Sequence, residues 1–248
     1  MTSHSTVRTS PRRSGASLEV YLLGSVDFES LLFLQERVLY DIGGRNDSQG
    51  TLFIAEHPPL ITVGREGSRA HIRLEPKELG QLGLEVRWLN RGGGCLVHGP
   101  GQVAVYPILP LDRLGLGLDQ FKKRLEQTVI DMAGDIRVEA QRSKGCAGVA
   151  SRSGQFAFIG AAVKRWTTHH GMYVNVDPSM RLMRLADADG CGGKISSLAA
   201  ERGLRACMHT VREGLVRHFA EQFEYDNLHV YTGHPLLKRT TRETHVYA

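Results

Sequence analysis

Three stretches of this 248-residue chain combine residue types and spacings that could do chemistry. The densest is Arg91-Gly92-Gly93-Gly94-Cys95-Leu96-Val97-His98-Gly99-Pro100-Gly101-Gln102. Glycines let backbone amides approach a ligand and adopt positive φ. The arginine and histidine at the ends of the run supply donors for a carboxylate, a carbonyl or a phosphate. A turn-rich hairpin is the competing reading. Gly99-x-Gly101-x-x-Ala104 also has the form of a dinucleotide fingerprint. Val105, Tyr106 and Pro107 follow it, so no helix begins there to hold a pyrophosphate, and that reading is rejected.

The second stretch is Gly190-Cys191-Gly192-Gly193-Lys194-Ile195. It is similar to the end of a phosphate-binding loop, but the motif's first glycine falls at Ala188, and Ile195 stands where a Ser or Thr would hold magnesium. What remains is a cysteine between glycines, where a thiol can reach a substrate; inert packing is the alternative. The third is His169-His170-Gly171. Neighbouring side chains of an extended strand point to opposite faces, so this pair is expected to put one ring in a pocket and the other in solvent, not to chelate a metal together. No G-x-S-x-G elbow is present to support serine-hydrolase chemistry.

These residues need a scaffold, and hydrophobic periodicity outlines one. A strand over Leu18–Leu23 leads into a helix beginning near Asp27, striped by Phe28, Leu31, Leu32, Leu34, Val38 and Leu39 and ended by Gly43-Gly44. Phe121, Leu125, Val129 and Met132 mark a second helix, and Val211, Leu215, Phe219 and Phe223 a third. Strands are predicted at Leu52–Ala55, Val86–Leu89, Val103–Leu109, Ile136–Val138, Phe156–Val163 and Met172–Val176. Their uneven spacing argues against repeated βαβ units and for an α/β (α+β) domain with a mixed, largely antiparallel sheet and packed helices. The expected division is a disordered tail over 1–16, one domain over 17–226 and a second tail over 227–248.

Composition narrows the function classes. Of the net charge of +5, three units lie on Arg8, Arg12 and Arg13, and two more come from Lys238, Arg239 and Arg242 against Glu243. The body is therefore near neutral, which argues against a nucleic-acid partner. No apolar run approaches the roughly 20 residues of a membrane-spanning helix, and no secretory signal is visible. The four cysteines form no C-x-x-C pair and predict reduced thiols in a cytoplasmic protein, Cys146 as a loop residue and Cys207 as core.

Taken in order, Glu56-His57-Pro58, Gly64-Arg65, Arg91-Gly92-Gly93, His98-Gly99-Pro100-Gly101-Gln102, His170-Gly171, Asn175 and Cys191-Gly192 resemble the lipoate–protein ligase B family, the octanoyl-[acyl carrier protein]:protein octanoyltransferases. The resemblance runs from about Leu18 to Phe223. It implies a biotin/lipoate protein ligase-like fold and acyl transfer through a thioester. Cys191 would take an octanoyl group from the phosphopantetheine arm of octanoyl-acyl carrier protein. It would pass that group to a lysine on the lipoyl domain of a 2-oxoacid dehydrogenase or on the glycine cleavage H protein. By the same resemblance Arg91, Gly92, Gly93, Gly94, Cys95, Leu96, Val97 and His98 line the acyl pocket, with Phe158, Ile159, Gly160, His170, Gly171, Met172 and Tyr173. No metal, ATP or other cofactor is implied.

The chain departs from that pattern at an informative place. The family's lysine, which lowers the pKa of the cysteine, falls at Gln155, and glutamine neither titrates nor carries charge. Lys194, three residues beyond Cys191, is the better substitute, and Lys164 is expected on the wrong face of its strand. Leu96-Val97, Cys95 and Gly190 are further departures. Two other readings stay open: an ATP-dependent lipoate–protein ligase, and a non-catalytic paralogue that binds an acyl chain or a lipoyl domain.

Overall fold

Alternating burial along β1 (Ser17–Ser25) seats Leu18 and Val20 in the core. The chain then turns at Asp27, whose carboxylate accepts the Ser30 N–H at 2.9 Å and so caps α1 (Phe28–Gly43). A computed structural model describes residues 16–188 and 193–237. After α1 come β2 (Gly50–Glu56), β3 (Leu60–Val63), the short α2 (Pro76–Gln81), β4 (Glu85–Trp88), β5 (Cys95–His98) and β6 (Gln102–Ile108). Helix α3 (Leu118–Asp135) precedes β7 (Gln141–Arg142), β8 (Gly148–Ser151), β9 (Gly154–Lys164) and β10 (Thr167–Asn175). Two short helices, α4 (Met180–Met183) and α5 (Leu198–Arg202), lead to α6 (Met208–Phe223) and β11 (Asn227–Thr232).

Eight strands form one sheet in the order β11-β1-β2-β6-β10-β9-β8-β7, and β4-β3-β5 form a second. Pairing in the large sheet is antiparallel except where β1 meets β11 and β2. One face is covered by α3 and α6, which close over Leu18, Val105, Phe156, Met172 and Val174. Phe219 and Phe223 stack there at 4.3 Å, with Phe121 of α3 edge-on to Phe223. The other face takes α1 and Leu96 of the small sheet against Phe53, Tyr106, Phe158 and Tyr173. A third cluster, including Ile61, Val63, Cys95, Val97 and Met183, lies behind the small sheet.

The mixed, mostly antiparallel architecture agrees with the sequence reading, but several element assignments are corrected. Ile136–Val138 is no strand: Ile136 ends α3, and Arg137 has φ 59°, outside the strand region. Strands β3 and β5, just after Pro58-Pro59 and the triple glycine, were not predicted; at four residues each they are too short for alternation to show. The sheet also continues past residue 226. β11 runs parallel to β1 with Leu228 beside Leu18 and Val230 beside Val20, although all six of its residues are exposed.

The β9–β10 hairpin turns through only Arg165 and Trp166, with φ of 50° and 61°. Two-residue hairpin loops favour this left-handed geometry because it matches strand twist, but it normally selects Asn-Gly. For bulky residues each left-handed position costs about 1–2 kcal/mol. Replacing the pair by Arg165→Asn and Trp166→Gly should raise the unfolding free energy by about 1–2 kcal/mol. Urea titration of both proteins measures this, and an unchanged midpoint would show that the turn is unstrained.

Candidate functional site

Arg91 is fully buried, and its guanidinium is spent on backbone and hydroxyl oxygens. Nη2 donates to the Thr62 carbonyl at 3.0 Å, to Thr62 Oγ1 at 2.8 Å and to the Gly94 carbonyl at 3.1 Å; Nη1 donates to the Gly92 carbonyl at 2.8 Å. The sequence reading made this arginine a donor for a ligand anion. Its two terminal nitrogens instead hold the glycine loop around themselves. The loop is anchored from outside as well, since the Gly92 N–H donates to the Ala161 carbonyl of β9 at 2.9 Å. Gly160 makes this approach possible: a Cβ there would sit 2.9 Å from Arg91 Nη1 and 3.2 Å from its Cδ.

From Arg91 a buried chain of hydrogen bonds crosses both sheets. Thr62 Oγ1 lies 2.8 Å from His98 Nε2, and His98 Nδ1 lies 2.9 Å from Gln102 Oε1. Gln102 Nε2 donates to the Val97 carbonyl at 3.0 Å and to Asn175 Oδ1 at 2.9 Å, and Asn175 Nδ2 donates to the Ser196 carbonyl at 3.1 Å. The donor directions fix one tautomer. Gln102 Oε1 can only accept, so Nδ1 of His98 carries the proton and Nε2 accepts from Thr62. Burial, His57 and Arg91 all hold the pKa of His98 well below its ordinary value, so it stays neutral.

A second buried pair stands beside it. His57 Nδ1 donates to the Val26 carbonyl at 2.8 Å, and Nε2 accepts from the Tyr106 hydroxyl at 2.7 Å. Burial lowers the His57 pKa to about 4, outweighing the Val26 carbonyl. His170 is lowered to about 3, by burial first and then by His169 and Arg91. Its φ of 53° breaks the strand alternation, so the expectation of opposite-facing histidines is corrected: the two rings lie 4.8 Å apart. The His170 N–H is held by Gln35 Oε1 of α1 at 2.8 Å.

Strand period divides the expected acyl-lining residues among three places. Leu96, Phe158 and Tyr173 pack together under α1; Ile159 and Met172 face α3 and α6; Cys95 and Val97 face the cluster behind the small sheet. Cys95 is fully buried with its thiol 3.4 Å from the Ser68 carbonyl. Arg91, His98, Phe158, Gly160, His170 and Tyr173 do belong to one region between the sheets. Thr62, Gln102, Asn175 and Tyr106 belong with them and were absent from the sequence-derived site, although Gln102, Asn175 and Tyr106 stood in the stretches singled out.

Gln155 occupies a telling position. Its N–H donates to the Lys194 carbonyl and its carbonyl accepts from the Ser196 N–H, both at 2.8 Å, pairing it with Ile195. Its side-chain Nε2 donates to the Ala157 carbonyl at 3.1 Å, beside Gly148, where a Cβ would come within 2.6 Å of Nε2. Cys191 lies outside the described residues. Lys194 is exposed, as is Lys164 at the end of β9. Cys146 is disulfide-bonded, contrary to the reduced thiol that composition suggests, and Cys207 is exposed at the start of α6 and not in the core.

A cleft of about 380 Å³ adjoins the glycine loop, bounded by Gly92 and Gly93, the first turn of α3, the Gly145–Ala147 loop and the outer edge of β9. A wider cavity of about 820 Å³ lies elsewhere, between α6 and β11, and holds none of these groups.

Residues 28–220 match the family model described as the lipoyl protein ligase A/B catalytic domain. The chain is 35% identical over 198 residues to an octanoyltransferase of Geobacter metallireducens, covering 79% of this chain and 89% of that protein. It is 31% identical over 219 residues to the mitochondrial octanoyltransferase LIP2 of Arabidopsis thaliana, covering 87% and 93%. Among solved structures, the fold is similar to the bi-partite lipoate protein ligase of Thermoplasma acidophilum (TM-score 0.71, 12% identity, 89% of each chain). It is similar also to a lipoate-protein ligase A bound with ATP (TM-score 0.69, 11% identity, 88% and 90%).

The buried histidines give the site a pH signature. In the unfolded chain their imidazoles take protons below about pH 6.5, whereas folded His57 and His170 do so only near 4 and 3. The unfolded state then binds more protons, so stability is full above pH 6.5 and falls as pH drops through it. For His57 alone the loss reaches ~3 kcal/mol by pH 4. Urea midpoints between pH 7.5 and 4.5 should fall on the acid side, with a shallower fall for His57→Gln; equal slopes would show that His57 is not held neutral.

Proposed function

The chain belongs to the lipoyl protein ligase A/B catalytic domain family, and on that premise we propose that it is an octanoyltransferase working through a thioester on Cys191. The donor is octanoyl-acyl carrier protein. The acceptor is a lysine on the lipoyl domain of a 2-oxoacid dehydrogenase or on the glycine cleavage H protein, in the cytoplasm. Its octanoyltransferase relatives, more than 30% identical along most of their length, support the acyl group and the reaction type. The observation that carries the residue assignment is the pairing of Gln155 with Lys194 and Ser196, which sets the position of the family's lysine beside the chain that follows Cys191.

In the first half-reaction the Cys191 thiolate adds to the thioester carbonyl, the tetrahedral intermediate collapses, and the pantetheine thiolate leaves and takes up a proton. In the second, the acceptor amine adds to the acyl-enzyme, loses its proton and expels Cys191. Splitting the transfer this way needs a thiolate and donors for the oxyanion. Gln155 supplies no cation to favour the thiolate. Lys194 is the residue best placed in sequence to act as a substitute base. A non-catalytic acyl- or lipoyl-domain-binding role is the second reading, favoured by the same glutamine.

Incubation of the fully reduced protein with octanoyl-acyl carrier protein, followed by intact mass measurement, tests both. One hydroxylamine-labile octanoyl adduct is expected, absent from Cys191→Ser. Acylation should climb with pH toward about 8.5 in the wild type, and Gln155→Lys should accelerate it at pH 7 by roughly tenfold or more. No adduct from an active donor selects the binding role, and abolition of acylation by Gln155→Lys would sink the assignment of that position.

A further inference from the structure

The outer edge of β9 changes character halfway along. From Gly154 to Phe158 it is paired with β8, but β8 ends there, and from Ile159 to Lys164 no strand lies beyond it. Two bonds show which groups face outward: the Ile159 N–H donates to the Ala147 carbonyl at 3.0 Å, and the Ala161 carbonyl accepts from Gly92. Because the N–H and C=O of one strand residue point the same way and alternate residue by residue, the Ala161 N–H and both backbone groups of Val163 also face outward. Among the described residues no backbone group pairs with them. They open into the 380 Å³ cleft.

The walls of this cleft are amphipathic in a definite order. Leu118 and Val163, 57% and 37% exposed, and Phe121 give it an apolar side. Arg65 and Lys122 stand at its rim, with Lys164 at the end of the same strand. Lys122 pairs with Glu126 at 3.6 Å, whereas Arg65 contacts only the Asn90 amide, and neither Arg65 nor Lys164 has a carboxylate within 4 Å among the described residues. Among the described residues Glu66 is the one acid on the rim. Burial lowers the pKa of His169, and the positive charges of Lys164 and Arg65, which converge on it, lower it further. A free strand edge, an apolar wall and an unneutralised basic rim together ask for an extended ligand carrying amides, a branched aliphatic group and a phosphate.

We propose that this cleft binds the phosphopantetheine arm of the donor carrier protein, its amides pairing with the β9 edge at Ala161 and Val163 and its phosphate lying against Arg65 and Lys164. The assignment rests on the octanoyltransferase reading for the identity of the donor, and it adds where the arm lies. Pairing an extended ligand to a free edge is an established mode of recognition.

Calorimetric titration of the reduced protein with free 4′-phosphopantetheine and with pantetheine, which lacks the phosphate, tests this without any acyl transfer. The phosphorylated ligand should bind roughly tenfold tighter, a preference that added salt erodes. The double variant Arg65→Ser, Lys164→Ser should bind the two ligands alike, and Ala161→Phe, which fills the cleft, should bind neither. Equal affinities in the wild type, or a preference kept by the double variant, would overturn the site. Coenzyme A binding more tightly than the holo-carrier protein would overturn the carrier protein as the source of the arm. Octanoyl transfer without phosphate discrimination defeats this cleft and leaves the transferase reading standing. Discrimination without transfer supports the cleft and defeats the transferase reading.

Discussion

A guanidinium that cannot shed its proton, buried with no carboxylate paired to it among the described residues, is the constraint around which the site is built. Arg91 needs oxygens for its terminal nitrogens, and the Thr62, Gly92 and Gly94 carbonyls supply them. That demand curls the glycine loop, brings β3 and β5 to the large sheet, and starts the hydrogen-bond chain that runs through His98, Gln102 and Asn175 to Ser196. Each link has one feasible donor direction. An interruption anywhere therefore leaves a buried polar group unpaired, at a cost of about 1–3 kcal/mol. The chain ends on the same short segment that pairs with Gln155, so the glycine loop and the approach to Cys191 are parts of one rigid frame.

The frame is indifferent to the side chain at 155. Gln155 is held by its main chain, through bonds that a lysine would make equally, and its amide is satisfied locally by the Ala157 carbonyl. Scaffold and chemistry are therefore separable at this position. Under the proposed mechanism, substitution would change the charge offered to the thiol while the main-chain pairing stays. Such an arrangement lets a family keep its fold and binding surfaces while reactivity is retuned.

Legibility in the sequence followed the length and period of each element. Helices α1, α3 and α6 carry stripes long enough to read, and β6, β9 and β10 are long apolar runs. Strands β3 and β5 were hidden because four residues give no periodicity and they sit among prolines and glycines that signal turns. β11 was hidden because its six exposed residues, Leu228, Val230 and Tyr231 among them, mark no core face; it is held by backbone pairing with β1 and by Tyr231 stacked on Tyr21. The site was legible as motifs and illegible as geometry. Contiguous blocks such as Arg91–His98 were read as one wall, and strand alternation sends Cys95 and Val97 away from Leu96 and His98. The left-handed His170 shows the converse, two neighbours brought together where alternation parts them. Asn175 and Gln102 stood in quoted motifs, but only the fold reveals that they bond to each other.

The pairing of β1 with β11 also ties the order of synthesis to the integrity of the sheet. β1 gains its inner neighbour β2 early, but its outer edge waits for Asn227–Thr232. At 5–20 residues per second, about 10–40 seconds separate the two strands at the ribosome. Throughout that interval the nascent sheet carries a bare edge with Leu18 and Val20 in register to recruit any passing strand. β11 then reads as a cover, fitted late over an edge that cannot protect itself.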